Sequence, residues 1–156
     1  MNVLLSDWDG DFGLPPFAEI KDADFGPAFE AALAVARANI VAIAGQEAAP
    51  DFANTVEAME LAEGLLDRVG GVFYNLAGAD STEAREALMR ELAPKMSAFA
   101  SEVTNNRTLF QRIETLWQRR DSLDLTAEQL RVLTLYRQMF VRSGALLEGA
   151  EAERLT

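Results

Sequence analysis

Asp7, Asp9 and Asp11 set carboxylates at alternate positions, the spacing with which a calcium-binding loop begins. Such a loop then needs glycine at its sixth position and a carboxylate at its twelfth, and here those places hold Phe12 and Ala18. The cluster therefore reads as capping and turn chemistry. A second charged run, Arg107, Arg112, Arg119, Arg120, Arg131, Arg137 and Arg142, has the residue type suited to bidentate recognition of carboxylate or phosphate. It is interleaved with Glu114, Asp121, Asp124 and Glu128, so ion pairs on helix surfaces account for it. Trp8, Phe73, Tyr74, Trp117 and Tyr136 offer aromatic faces to a ligand, but at helical spacing such residues belong to a core. Gly70 and Gly71 sit within an apolar helical stripe and match neither GxGxxG nor GxxxxGK.

The sequence contains no cysteine and no histidine. That removes disulfides, thiolate metal sites, the commonest neutral metal ligand and the side chain that best moves protons near neutral pH. Nucleophilic catalysis would rest on Ser or Thr beside Lys21, Lys95 or a carboxylate, and magnesium on chance carboxylate pairs. No residue of this chain is assigned a catalytic, cofactor-binding or metal-ligating role.

A net charge of −11 repels phosphate backbones and anionic lipid, which argues against nucleic-acid and membrane partners. The charge is uneven: residues 1–104 hold 18 acidic and 6 basic side chains, residues 105–156 hold 7 and 8. A solvated acidic face with helix-dipole bias explains that split. No basic residue precedes Lys21, so no secretory signal is read, and the longest uncharged stretches, such as residues 69–79, fall short of the ~20 residues of a bilayer span. A cytoplasmic location is the expectation.

The elements that must position these side chains are helices. Residues 51–80 carry Val56, Met59, Ala62, Leu66, Val69, Phe73 and Leu76 at spacings of three and four, with Asn54 and Glu57 as a capping box at the start. The glycine pair inside this central helix predicts either a bend or a very close neighbour. Before it, residues 1–21 form an extended strap fixed by Pro15 and Pro16, whose Trp8, Phe12, Leu14, Phe17 and Ile20 are expected to plug grooves on the helices. A first helix follows, with Pro27 at its first position, a stripe of Phe29, Leu33, Ala36, Ile40 and Ile43, and Gly45 as its stop.

After Asp80, Ser81 and Thr82 a third stripe runs through Leu88, Leu92, Met96, Phe99 and Val103, with a kink expected near Pro94. Asn105 and Asn106 break it, and a short helix carries Leu109, Ile113, Leu116 and Trp117. The last helix opens on a Thr126–Gln129 capping box, with Leu125 and Leu130 as its staple, and its stripe extends through Leu133, Phe140, Gly144 and Leu147. Beyond Gly149 the sequence AEAERLT keeps helix-favouring composition without a cap, as though the chain continued. The fold class read from this is all-α: a single domain over residues 1–156, an antiparallel bundle of about five helices around one core, with an ordered N-terminal aromatic and proline strap.

A set of ordered blocks resembles a known family. Leu4-Leu5, Trp8, Phe12-Gly13, Pro15-Pro16-Phe17, Ile20 and Pro27-Ala28-Phe29 open it; Phe52, Asn54-Thr55, Glu57-Ala58, Leu65-Leu66, Phe73 and Asn75-Leu76-Ala77-Gly78 continue it. Ala93-Pro94-Lys95, Asn105-Asn106, Leu109-Phe110, Leu125-Thr126 and Val141-Arg142-Ser143-Gly144-Ala145 close it. This order is similar to the N-terminal region of oligopeptidase A and the bacterial peptidyl-dipeptidases, relatives of thimet oligopeptidase and neurolysin. The resemblance implies an all-helical zinc metallopeptidase of short peptides with a deep channel, its zinc held by an HExxH helix and a following glutamate. None of those catalytic residues maps here, since the chain has no HExxH and no histidine.

What the resemblance implies is a non-catalytic N-terminal helical domain that walls the substrate channel and is inactive alone. Its partners would be the C-terminal catalytic region and, in the full-length enzyme, oligopeptides; zinc belongs to the parent and not to this chain. A free fragment would expose an apolar patch and self-associate through it. The alternative reading is a stand-alone helical interaction or dimerisation module without enzymatic activity.

Overall fold

The computed structural model describes residues 2–147, apart from the side chain of Asp11. The all-α class is borne out, with no strand among the described residues. The helices are α1 (Asp22–Ala44), α2 (Ala58–Ala62), α3 (Gly64–Ala79), α4 (Glu83–Thr104), α5 (Arg107–Gln118) and α6 (Ala127–Arg142). They contribute to two compact units, one of residues Met1–Asn39 with Glu63–Ser97 and one of Ile40–Ala62 with Ala98–Thr156.

In the first unit the α1 stripe predicted from sequence is buried at Phe29 and Leu33. Phe73 of α3 is fully buried, with its ring 5.0 Å from that of Phe25 and 5.4 Å from that of Phe29. Tilted and edge-on aromatic packing of this kind adds to the area each ring removes from water. Helix α1 begins five residues before Pro27, so the proline lies in its second turn rather than at its first position. The start is instead closed by Asp24, whose Oδ2 accepts from the Lys21 N–H at 2.8 Å. At the other end Gly45 is the stop expected: its N–H reaches the Val41 carbonyl at 2.9 Å, and a Cβ there would lie 3.2 Å from that oxygen. By length and composition alone α1 could cross a bilayer, but Phe25, Ala28, Phe29, Ala32, Leu33 and Ala36 are buried in protein, as in a core helix.

The starts of α1 and α4 are tied by one carboxylate. Asp22 accepts from Arg85 Nε at 2.7 Å and from the Thr82 hydroxyl at 3.1 Å. Thr82 Oγ1 in turn accepts from the Arg85 N–H, which caps α4. Helix α4 runs on through Pro94 as one element, with Leu92, Phe99 and Val103 buried.

The strap departs from expectation. Leu4 is buried, and Trp8 is held by a 3.0 Å bond from its indole N–H to the Val3 carbonyl and by the Arg68 guanidinium 5.0 Å over its ring. Phe12, Leu14 and Phe17, expected to plug grooves, face outward at 97%, 58% and 49% exposure. Phe12 also has φ 61°, a left-handed conformation costing a bulky L-residue on the order of 1 kcal/mol.

The predicted central helix is three pieces. A π-helical turn over Phe52–Glu57 leads into α2, and Glu63 separates α2 from α3. Its cap is Asp51, not Asn54: Asp51 Oδ1 accepts from the Asn54 N–H at 2.6 Å and Asn54 Oδ1 accepts from the Asp51 N–H at 3.0 Å. The very close neighbour expected of the glycine pair is absent at Gly71, where α3 is continuous and a Cβ would meet nothing within 4 Å. At Gly70 it would meet the Tyr74 ring at an ordinary 3.8 Å. Gly71→Ala is therefore expected to stabilise the chain by about 1 kcal/mol, from helix propensity alone, as a raised urea midpoint. A loss of stability would show a close neighbour after all.

In the second unit α5 and α6 pack on each other and on the π-helical turn. Asn106 Oδ1 caps α5 by accepting from the Leu109 N–H at 2.9 Å, and the Thr126–Gln129 capping box is present at α6. Leu109, Ile113, Leu116, Leu133 and Phe140 are fully buried. The last helix ends earlier than its stripe predicted. Ala145 N–H bonds the Phe140 carbonyl and Gly144 N–H the Val141 carbonyl, each at 3.0 Å, with Gly144 at φ 91°. That is a Schellman closure, and glycine supplies its left-handed residue without strain. The expected helical composition after Gly149 lies outside the described residues.

Candidate functional site

The residues singled out for chemistry do not converge. Asp7 is fully exposed with Arg68 at 3.7 Å, Asp9 is exposed, and the Asp11 side chain lies outside the described set. No group of three His, Cys, Asp or Glu side chains is placed to hold a metal ion among the described residues.

The arginine run separates into different jobs. Arg137 pairs with Glu114 at 2.8 Å and lies 5.1 Å over the Trp117 ring, where Arg120 also sits at 4.4 Å. Those are the surface pairs expected, reinforced by cation–π contact. Arg112 is the correction: it is 6% exposed and pairs with no carboxylate among the described residues. Its Nη1 donates to the carbonyls of Gln46 at 3.0 Å and Ala48 at 3.2 Å, and its Nη2 to Asn54 Oδ1 at 2.7 Å. Asn54 further donates from Nδ2 to the Ala49 carbonyl at 2.9 Å and accepts from the Thr55 hydroxyl at 2.8 Å. The sequence reading picked Asn54 correctly but gave it the wrong work; it anchors a buried guanidinium to the loop after α1. No sequence signal separates Arg112 from its exposed neighbours except its place on the apolar side of α5, between Leu109 and Ile113.

Two cavities are the other candidates. One of about 490 Å³ in the second unit is lined by Ser101, Asn105, Asn106, Arg107, Phe110, Ser143 and Gly144 among others. It draws together three of the sequence blocks that carry the resemblance, at the α4–α5 joint, the first turn of α5 and the closure of α6. The other, of about 260 Å³ in the first unit, is lined by Phe29, Leu66, Tyr74, Met96, the glycine pair, Glu63 and Asp67. Burial raises the Glu63 pKa above the usual carboxylate value, and the Asp67 charge adds to the rise. A carboxyl with a raised folded-state pKa binds its proton better folded than unfolded. Stability from this group is thus greatest below the ordinary carboxylate range and falls as pH climbs through the raised value. Glu63→Gln is expected to lose less stability than the parent chain as pH rises through and above the ordinary carboxylate range, in paired urea titrations. An identical pH dependence in the two proteins would contradict this.

Neither cavity is lined by a lysine, and Lys95, one of the two lysines considered for catalysis, is engaged by Glu30 and Glu91. Its hydrogen bonds to those two carboxylates raise its pKa above the usual lysine value. The described residues therefore offer helical scaffolding, one buried arginine hub and no reacting centre.

Comparison with known proteins decides the kinship. Over 154 residues, 99% of the chain, the sequence is 35% identical to a dipeptidyl carboxypeptidase of Salmonella typhimurium, covering 23% of that protein. The chain is similar, over nearly its whole length, to part of a dipeptidyl carboxypeptidase. A dipeptidyl carboxypeptidase of Escherichia coli shows 35% identity over 141 residues, 90% of this chain and 21% of its own length. The chain thus spans less than a quarter of the curated relatives it matches. No family model matches. The resemblance read from the ordered blocks is borne out by these dipeptidyl carboxypeptidase matches, which run along nearly the whole chain, strap included.

Proposed function

We propose that this chain is the N-terminal helical domain of a longer zinc-dependent peptidyl-dipeptidase, and that it walls the substrate channel without supplying chemistry. The observation that carries this is the 35% identity along 99% of the chain to only 23% of a dipeptidyl carboxypeptidase. A match of that shape is what one portion of a larger enzyme produces. The zinc ligands and the activating glutamate then belong to a catalytic region outside this sequence, which has no histidine. Short peptides are the substrates of the whole enzyme, and the cytoplasm is its compartment.

The reading frame in the source gene tests this directly. A frame continuing past Thr156 into an HExxH-containing helical region is the expected result. A stop codon immediately after Thr156 would instead favour an interaction or dimerisation module. The exposed Leu135 and Met139, four residues apart on α6, would then be the place to look for a second copy.

A further inference from the structure

The N-terminal strap is built in two halves that behave oppositely. Its first half is fastened: Leu4 is buried, the Asn2 side chain donates to the Asp24 carbonyl at 2.7 Å, and Arg68 donates to the Leu4 carbonyl at 3.4 Å while covering Trp8. Its second half is ordered yet turned away from the protein. Gly13 N–H closes a turn on the Gly10 carbonyl at 3.0 Å, Phe17 N–H bonds the Pro15 carbonyl at 2.8 Å and Glu19 N–H the Pro16 carbonyl at 2.9 Å. These local bonds and the two prolines hold the backbone of a segment whose large apolar side chains stand in solvent.

Phe12, Leu14 and Phe17 are 97%, 58% and 49% exposed within six residues of chain. Phe12 is also the one non-glycine residue with positive φ among the described residues. A strained aromatic displayed to water gains nothing for the chain as it stands. Strain of this kind persists where another surface completes the arrangement. A pre-ordered segment also loses little entropy on docking, which is why proline-fixed extended segments serve as recognition strips.

Three considerations identify what completes it. The match to the dipeptidyl carboxypeptidases includes the strap, while more than three quarters of those proteins lies outside the matched chain. The partner surface is therefore available within one polypeptide. Charge adds the second consideration: Asp7, Asp9 and Glu19 flank the apolar residues, and no basic residue occurs before Lys21. The third is size, since two phenylalanines and a leucine form a narrow strip suited to a groove rather than a flat face.

Resting on the function proposed above, we propose that Phe12, Leu14 and Phe17 form a docking strip for an apolar groove with a basic rim in the remaining part of the peptidase chain. The strap then clasps the helical domain to the rest of the enzyme from its outer side, with Trp8 and Arg68 as the fixed end of the clasp.

The test uses the natural gene product with a benzophenone-bearing phenylalanine analogue at position 12 or position 17, irradiated and mapped by peptide mass spectrometry. Cross-links to residues beyond 156 of the same chain are expected. Cross-links confined to residues 2–147, or joining two copies, would overturn the proposal. A second arm uses the Phe12→Ser, Phe17→Ser double variant. Its Tm is expected to fall by several degrees in the whole gene product and to stay within about a degree of the parent in the 156-residue chain, where both side chains already meet water. Equal shifts in the two contexts would also overturn it. A gene that stops at Thr156 sinks the functional reading and this proposal together, whereas a continuing gene without long-range cross-links sinks only the clasp.

Discussion

Replacing Arg112 by methionine is expected to cost about 2–3 kcal/mol of folding stability, since it removes the charged donor that a nearly buried guanidinium supplies to three partly buried acceptors. The groups that lose a donor are the carbonyls of Gln46 and Ala48 and the Asn54 side-chain oxygen, the last of which keeps the Asp51 N–H and the Thr55 hydroxyl. Methionine keeps most of the aliphatic stem, so the loss reports hydrogen bonding more than cavity formation. The urea midpoint measures it, with the slope of the transition checked for constancy. Arg112→Lys keeps the charge but lacks the planar fork, so it recovers only part of the loss. A change under about 1 kcal/mol for the methionine variant would mean that water replaces the guanidinium and that this hub does not fasten the π-helical turn to α5.

The other large effect is expected at Phe73. Its ring is 0% exposed and lies within 5.5 Å, centroid to centroid, of the rings of Phe25, Phe29 and Tyr74. Phe73→Ala removes a ring from a packed aromatic cluster and is expected to destabilise by about 3–5 kcal/mol. Leucine, which refills part of the volume, is expected to cost about half as much. Calorimetric unfolding distinguishes the two. Equal, small losses from both substitutions would show that the first unit's core collapses around the gap.

These two residues illustrate unequal legibility. Phe73 could be placed in the core from its spacing with Leu66 and Val69, because a helical stripe of large apolar side chains has few alternatives to burial. Arg112 was not, since an arginine in a run of arginines interleaved with carboxylates reads as surface even where it falls on the apolar side of its helix. Two of its three partners are backbone carbonyls 64 and 66 positions away in sequence, which carry no side-chain signature.

Helix ends were legible where one side chain closes one end. Thr126–Gln129 caps the helix that its sequence pattern announced, while Asn106, expected only as a break, also caps α5. The central segment misled because Asn54 has a capping side chain but Asp51, three residues earlier, takes the cap and leaves Asn54 to bind Arg112. Gly144 misled by lying in register with an apolar stripe, although its positive φ ends the helix rather than extending it. Phe12, Leu14 and Phe17 were read as inward-facing by their type alone. A strap that has no period gives no face, so hydrophobicity cannot say which way its side chains turn.

The sequence narrowed the candidate chemistry without placing a site. It contains no histidine or cysteine, and among the described residues no group of three carboxylates is placed to hold a metal ion. What the sequence did carry was kinship, spread over many short ordered blocks instead of one catalytic motif.

Release of C-terminal dipeptides from short blocked peptides is the measurement that bears most directly on a scaffold role. The purified 156-residue chain, supplied with zinc, is predicted to release none above the buffer rate. Zinc-dependent release abolished by a chelator would contradict the account, because it would place the chemistry inside a chain that has no imidazole to hold the metal.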